Sequence, residues 1–155
     1  MNFIAFSPHY PPNYLPFWAN LRRMGVNVLG LGDAPWETLR PEVRATLTEY
    51  YAVWNGQDYD QLVRAVGYFT HRYGKIDRLE SHNEFWLESD ARLRTDFNIP
   101  GLQNGEITRI KRKSIMKEIF KEAGVPVAAG RIVNTPKDAK KLIKEIGYPV
   151  VAKPD

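Results

Sequence analysis

Apolar and polar positions along this chain fall into short runs that alternate between two periods. Residues 2–7, N-F-I-A-F-S, form a nearly unbroken apolar run and predict a buried strand. The proline-rich S-P-H-Y-P-P-N after it predicts a loop. Leu15, Phe17, Trp18, Leu21 and Met24 then return at roughly helical spacing, with Gly25 as the stop. Residues 26–32, V-N-V-L-G-L-G, predict a second strand with Asp33 at its C-terminal end. Residues 35–47 predict a helix or helical turns, and residues 49–54 a third short strand. From Asp58, a suitable cap, Leu62, Val63, Val66, Phe69 and Tyr73 share one helical face. Residues 75–82 contain the strand I-D-R-L-E, and Asn83 is placed to cap a helix over 84 to about 97.

Strands alternate with helices throughout this region. That order predicts an α/β fold with a mostly parallel sheet covered on both faces. The stretch I-P-G-L-Q-N-G, 99–105, reads as a linker, which divides the chain into residues 1–102 and 103–155. Beyond it a helix is predicted over 106–123, with Ile115, Met116, Ile119, Phe120 and Ala123 as its apolar stripe and Gly124 as its end. Residues 127–133 predict a strand. Thr135-Pro136-Lys137-Asp138 is a strong helix start, with threonine as N-cap and proline at the first position. Ala139, Leu142, Ile143 and Ile146 are expected to form the buried face of that helix. Gly147 closes it, and residues 149–153 predict a last strand.

Charge sharpens the division. Residues 1–102 carry 10 Lys and Arg against 12 Asp and Glu, while residues 103–155 carry 12 against 6. The second part is therefore the one suited to a polyanion. No apolar run reaches the roughly 20 residues of a membrane span, so no membrane partner is expected. The N-terminus lacks the pattern of a signal peptide. The chain has no cysteine, which excludes disulfides and thiolate chemistry and fits a cytoplasmic protein.

The candidate chemistry is sparse. The first strand-to-helix turn carries prolines and no glycine, so it lacks the donors that cradle phosphate. No G-x-x-x-x-G-K-[ST] loop occurs. His9, His71 and His82 have no metal-ligand spacing. His9 and Asp33 lie at the ends of the first two strands, where open sheets bind ligands, and are candidates for substrate contact. The basic run 110–113 lacks the interleaved aromatics of a nucleic-acid site, and nucleic acid is not expected as a partner. Lys153 stands at the end of the last predicted strand.

Lys113 precedes Gly124 by eleven residues and Lys153 follows Gly147 by six. A helix carrying Lys113, then G-V-P-V, a strand, a capped helix and G-Y-P-V-V-A-K-P, resembles the ATP-grasp superfamily, in particular its carbamoyl-phosphate synthase and biotin carboxylase branch. Upstream, N-E-F-W-L at 83–87 and F-N-I-P-G at 97–101 resemble the end of that family's pre-ATP-grasp domain. One departure is Arg112, where relatives usually carry an acidic residue.

The resemblance implies a Rossmann-like pre-ATP-grasp domain over 1–102. It implies the beginning of an α+β ATP-grasp domain over 103–155. Lys113 and Lys153 would contact the phosphates of ATP. Magnesium would accompany the nucleotide, on ligands expected beyond residue 155. The partners implied are ATP and a small carboxylate or bicarbonate, in a ligase that forms an acyl-phosphate. The 155 residues would then be the first part of a larger enzyme and not catalytically competent alone. The alternative is a non-catalytic α/β ligand-binding or scaffolding module, with Lys153 a plain surface residue.

Overall fold

Strand β1 (Asn2–Phe6) is buried at every position, because both faces of the sheet it occupies are covered. The computed structural model describes residues 1–155, which divide into two units, Met1–Asn104 and Gly105–Asp155.

In the first unit, β1 is followed by α1 (Leu15–Arg23), β2 (Asn27–Gly32), α2 (Pro41–Thr46) and β3 (Glu49–Ala52). Then come α3 (Tyr59–Tyr73), β4 (Arg78–Glu80) and α4 (Leu87–Asp96). The four strands form one sheet in the order β3-β2-β1-β4, and every pairing is parallel. Ile4 sits between Leu29 of β2 and Leu79 of β4. Successive residues point to opposite faces. Ile4, Phe6, Leu29 and Leu79 therefore pack with Leu62, Val66 and Phe69 of α3 and Leu93 of α4. Phe3, Ala5 and Val28 pack on the other side with Trp18 of α1 and Val43 of α2.

The predicted caps form. Asp58 accepts from the main-chain N–H groups of Asp60 and Gln61 and starts α3. Asn83 also caps, but it starts a single 3-10 turn, Glu84–Trp86, which leads into the shorter α4 instead of one helix over 84–97. The fourth strand is likewise shorter than I-D-R-L-E, since only Arg78–Glu80 pair with β1.

The second unit departs further from expectation. The helix predicted over 106–123 is two helices, α5 (Asn104–Lys111) and α6 (Lys113–Glu122). Arg112 between them is extended, at ψ 114°. In one continuous helix the Ser114 N–H would donate to the Ile110 carbonyl. Here it donates to Asp155 Oδ1 at 2.7 Å instead, and the helix restarts.

The strands predicted at 127–133 and 149–153 are not strands. A strand exists only as part of a ladder, and these segments pair with none. The Ala128 carbonyl is taken by Lys117 Nζ at 3.0 Å. α7 (Pro136–Ile146) begins as expected, with Thr135 Oγ1 accepting from the Asp138 N–H at 3.1 Å and Pro136 in the first turn. Its apolar stripe is not buried, however: Ala139, Leu142 and Ile143 are half-buried and Ile146 is exposed. Two amphipathic helices without a sheet between them do not enclose a core.

Candidate functional site

Open parallel sheets present ligands at the C-terminal ends of their strands, above all where the strand order reverses. Here the chain builds outward from β1 to β2 and β3, then returns to place β4 on the other side of β1. The reversal lies between β1 and β4. The chain leaves β1 through Ser7, a buried residue at φ 54°, and leaves β4 through Ser81 and His82, the latter at φ 53°. A non-glycine residue held in this left-handed region costs roughly 1–3 kcal/mol, and such residues collect at functional sites.

Aromatic rings fix His82. It stacks on Tyr14 with centroids 4.3 Å and planes 5° apart, and stands edge-on to Phe17 at 5.0 Å. Trp18 lies 5.2 Å from the same ring, and its indole N–H donates to the Pro8 carbonyl at 3.2 Å. The loops after β1 and β4 therefore close on one tryptophan. His9 Nδ1 and His82 Nε2 are both buried and have no hydrogen-bond partner. Burial holds both imidazoles below their ordinary pKa. The Asp33 carboxylate opposes this at His9, and the Arg94 guanidinium reinforces it at His82.

The turn after β4 is tied down by α4. Asp90 Oδ2 accepts from the Ser81 N–H at 3.1 Å and from its hydroxyl at 2.6 Å. Asp90 is wholly buried and its Oδ1 has no partner. Burial pushes its carboxyl up to about 7, against the Ser81 bonds and the charge of Arg94. Arg94 is also buried. It donates twice to the Leu79 carbonyl at 3.0 and 2.8 Å, to the Leu102 carbonyl at 3.2 Å and to Glu80 at 2.6 Å. A depression of about 520 Å³ lies elsewhere, against β3 and the first turns of α3, and is lined by none of His9, Asp33, Lys113 and Lys153.

The two lysines belong to the second unit. Lys113 is the first residue of α6, and Arg112, its N-cap, offers no side-chain cap. The cap comes from far along the chain. Asp155 accepts from the Ser114 N–H at 2.7 Å and from the Ser114 hydroxyl at 2.8 Å. These two bonds, together with the nearby charges of Arg112 and Lys113, hold the Asp155 carboxyl below its ordinary pKa. Lys153, exposed, stands two residues before Asp155. The structure thus ties the segment bearing Lys153 to the helix opened by Lys113. His9 and Asp33 are placed together in the first unit, where Asp33 acts electrostatically on His9.

Sequence reading missed Ser114, Asp155 and the part His82 plays. Ser114 is the neighbour of Lys113, but its partner is 41 residues away, and no local period reports such a contact. No three His, Asp or Glu side chains gather where they could hold a metal ion.

Over 66 residues the chain is 33% identical to the carbamoyl phosphate synthase large chain of Agathobacter rectalis, a match covering 43% of this chain and 6% of that protein. Over that stretch the chain is similar to an ATP-grasp enzyme. Its fold agrees. The biotin carboxylase domain of Hydrogenobacter thermophilus 2-oxoglutarate carboxylase, solved with MgADP, ADP and bicarbonate, superimposes with a TM-score of 0.69 at 21% identity, over 96% of this chain and 33% of that one. The L-amino acid ligase of Bacillus licheniformis gives a TM-score of 0.62 at 14% identity, over 94% of this chain and 41% of that one. The chain therefore spans only a small part of the curated relative, and well under half of these structures. The parallel α/β sheet is that of the N-terminal domain of the biotin carboxylase-like ATP-grasp proteins. No family model matches the chain.

Proposed function

We propose that this chain provides the N-terminal part of an ATP-dependent ligase of the carboxylate–amine or carboxylate–thiol type, with Lys113 and Lys153 on the phosphates of ATP. Unit 1 serves as the pre-ATP-grasp domain and unit 2 as the beginning of the ATP-grasp domain. In the reaction ATP phosphorylates a small carboxylate or bicarbonate, and a nucleophile displaces phosphate from the acyl-phosphate. The two lysines hold the triphosphate in place and offset its roughly four negative charges as phosphoryl transfer proceeds. The 155 residues alone are expected to show no turnover, and the setting is cytoplasmic.

Magnesium accompanies ATP in such chemistry. The acidic side chains here do not gather into a set that fits it.

One observation carries this reading: the Ser114–Asp155 contact brings together two lysine-bearing segments that are distant in sequence. Side-chain cations on two elements can orient phosphates where no glycine-rich loop does so. ³¹P NMR of ATP titrated with the chain tests it. Lys113→Ala and Lys153→Ala should each weaken binding about 10- to 100-fold, the scale of a lost charged hydrogen bond. Lys140→Ala, on the exposed face of α7, should leave binding unchanged. Equal affinity in all four proteins would remove the lysines from the nucleotide site and favour the non-catalytic module.

A further inference from the structure

The two outer strands of the sheet, β3 and β4, end it differently. At β4, Arg94 bonds the Leu79 carbonyl and the Glu80 carboxylate. β3 pairs with β2 on one side and has no neighbour on the other. The Val53 N–H donates to the Gly32 carbonyl at 2.9 Å. Main-chain groups alternate sides along a strand, so Tyr51 also faces β2, while Tyr50 and Ala52 turn their N–H and carbonyl groups outward. Natural sheets guard such an edge with lysine, proline or a bulge. β3, E-Y-Y-A, has none of these. Its one charge, Glu49, is held by Tyr68, Tyr73 and Arg72. The strand is also fixed on both faces. The Tyr50 hydroxyl donates to the Ala34 carbonyl at 2.7 Å, and Tyr51 packs on Tyr68 and Phe69. Two depressions follow the open side, one of about 520 Å³ toward Trp54, Asp60 and Arg64 and one of about 300 Å³ toward Glu49 and Tyr68. Trp54, just past the strand, is 95% exposed.

We propose that the open edge of β3 pairs antiparallel with the same edge of a second copy of this chain, joining two four-stranded sheets across a two-fold axis at Tyr51.

Symmetry and charge select this occupant. With the axis at Tyr51, Tyr50 of each copy lies opposite Ala52 of the other. Each opposed pair exchanges two main-chain hydrogen bonds, so every outward N–H and carbonyl of β3 is used. The two edges meet in reverse order, which brings Trp54 of one copy beside the depression at Glu49 and Tyr68 of the other. α3 runs back along β3. Asp58 and Asp60 in its first turn lie near Val53 and Trp54, and Arg72 in its last turn pairs with Glu49 at 2.9 Å. The open side is therefore acidic at one end and basic at the other. The two-fold sets Asp60 of each copy toward Arg72 of the other, whereas a parallel pairing would set like charges together. Only a four-residue strand is shared on each copy, so the dimer belongs among the weak, transient interfaces.

This pairing needs neither Lys113 nor Lys153, so it stands or falls separately from the ATP reading. The test is sedimentation velocity of the full chain over a range of protein concentrations, with amide hydrogen exchange on the same samples. The expected result is a dimer that builds up with concentration. Protection of the Tyr50 and Ala52 amides should rise with it, while that of Arg78 on β4 stays constant. Ala52→Pro removes the outward N–H at an edge position that tolerates proline. It should weaken the dimer about 10- to 100-fold, since symmetry makes it two lost hydrogen bonds. Trp54→Ser, outside the core, should weaken it as well. Asp60→Lys should weaken it at low salt, and the gap should close at high salt, where the charges are screened. Val151→Ser, at an exposed position of the second unit, should leave it unchanged. A monomer at every concentration, a dimer as tight in Ala52→Pro and Trp54→Ser as in the wild type, or a dimer lost in Val151→Ser would overturn the proposal. So would Tyr50 and Ala52 amides protected equally at all concentrations, which would put a segment of the same chain on the edge.

Discussion

Asp155 accepts two hydrogen bonds from Ser114, one from its main-chain N–H at 2.7 Å and one from its hydroxyl at 2.8 Å. A carboxylate at the start of a helix satisfies an orphan donor and meets the positive end of the helix dipole. The contact is exposed, so its role is positional. Ser114→Ala removes the hydroxyl bond, and Asp155→Ala removes both. Hydrogen exchange at the Ser114 amide should be slowest in the wild type, faster in Ser114→Ala and fastest in Asp155→Ala. Because the bonds lower the Asp155 pKa, their contribution is complete above the unfolded value and is lost as pH falls through the folded one. Amide protection should therefore disappear on acidification below about 3.9.

Asp90 has the opposite sign. Its pKa is raised to about 7 in the folded protein, against about 3.9 unfolded. Between those values the folded state binds more protons, so stability falls as pH rises from about 4 to 7. His9 and His82 work against this, since their lowered pKa values remove stability as pH drops below about 6.5. Comparing wild type with Asp90→Asn isolates the Asp90 part. Thermal melts should show the wild type losing ground relative to the variant across that window. Parallel curves would place the Asp90 pKa near its ordinary value.

Arg94 stitches β4 to the segment that ends the first unit, through the carbonyls of Leu79 and Leu102. Its side chain is only 2% exposed. Arg94→Leu takes this donor from those carbonyls and from Glu80 and removes the cation beside Asp90, and should cost about 3–5 kcal/mol in urea unfolding. Arg94→Lys keeps the charge but not the fork, and should recover only part of the loss.

Gly30 lies in the middle of β2, where an added Cβ would come within 2.7 Å of Tyr50 Cδ2 and 2.8 Å of Leu47 Cδ1. Gly30→Ala should destabilise by about 1–3 kcal/mol through overpacking. Gly67, on α3, has open space around it, and Gly67→Ala should be neutral or stabilising by up to about 1 kcal/mol.

The first unit was largely legible because its signals are local. The run N-F-I-A-F makes a strand buried on both faces, and Asp58 and Asn83 cap the helical turns that begin beside them. The second unit was legible only where a cap decided the matter, as at Thr135. The apolar segments 127–133 and 149–153 have strand character, but a strand also needs a neighbour to pair with, and periodicity does not reveal whether one is present. At the break after Arg112 the Ser114 N–H is met by Asp155, far along the chain. Likewise, Lys113 and Lys153 could be singled out by their distances to Gly124 and Gly147, while the serine and aspartate that join their segments could not. His82 gave no signal because its cage comes from three rings in or just before α1.

If Lys113 and Lys153 act on one phosphate chain, their contributions to ATP affinity are coupled. A double-mutant cycle read as ATP affinity tests this most directly. With both lysines on the same triphosphate, Lys113→Ala and Lys153→Ala each weaken ATP binding, and the double variant loses less than the product of the two. Affinities equal to wild type in the single variants, or losses that multiply as for independent sites, would contradict it.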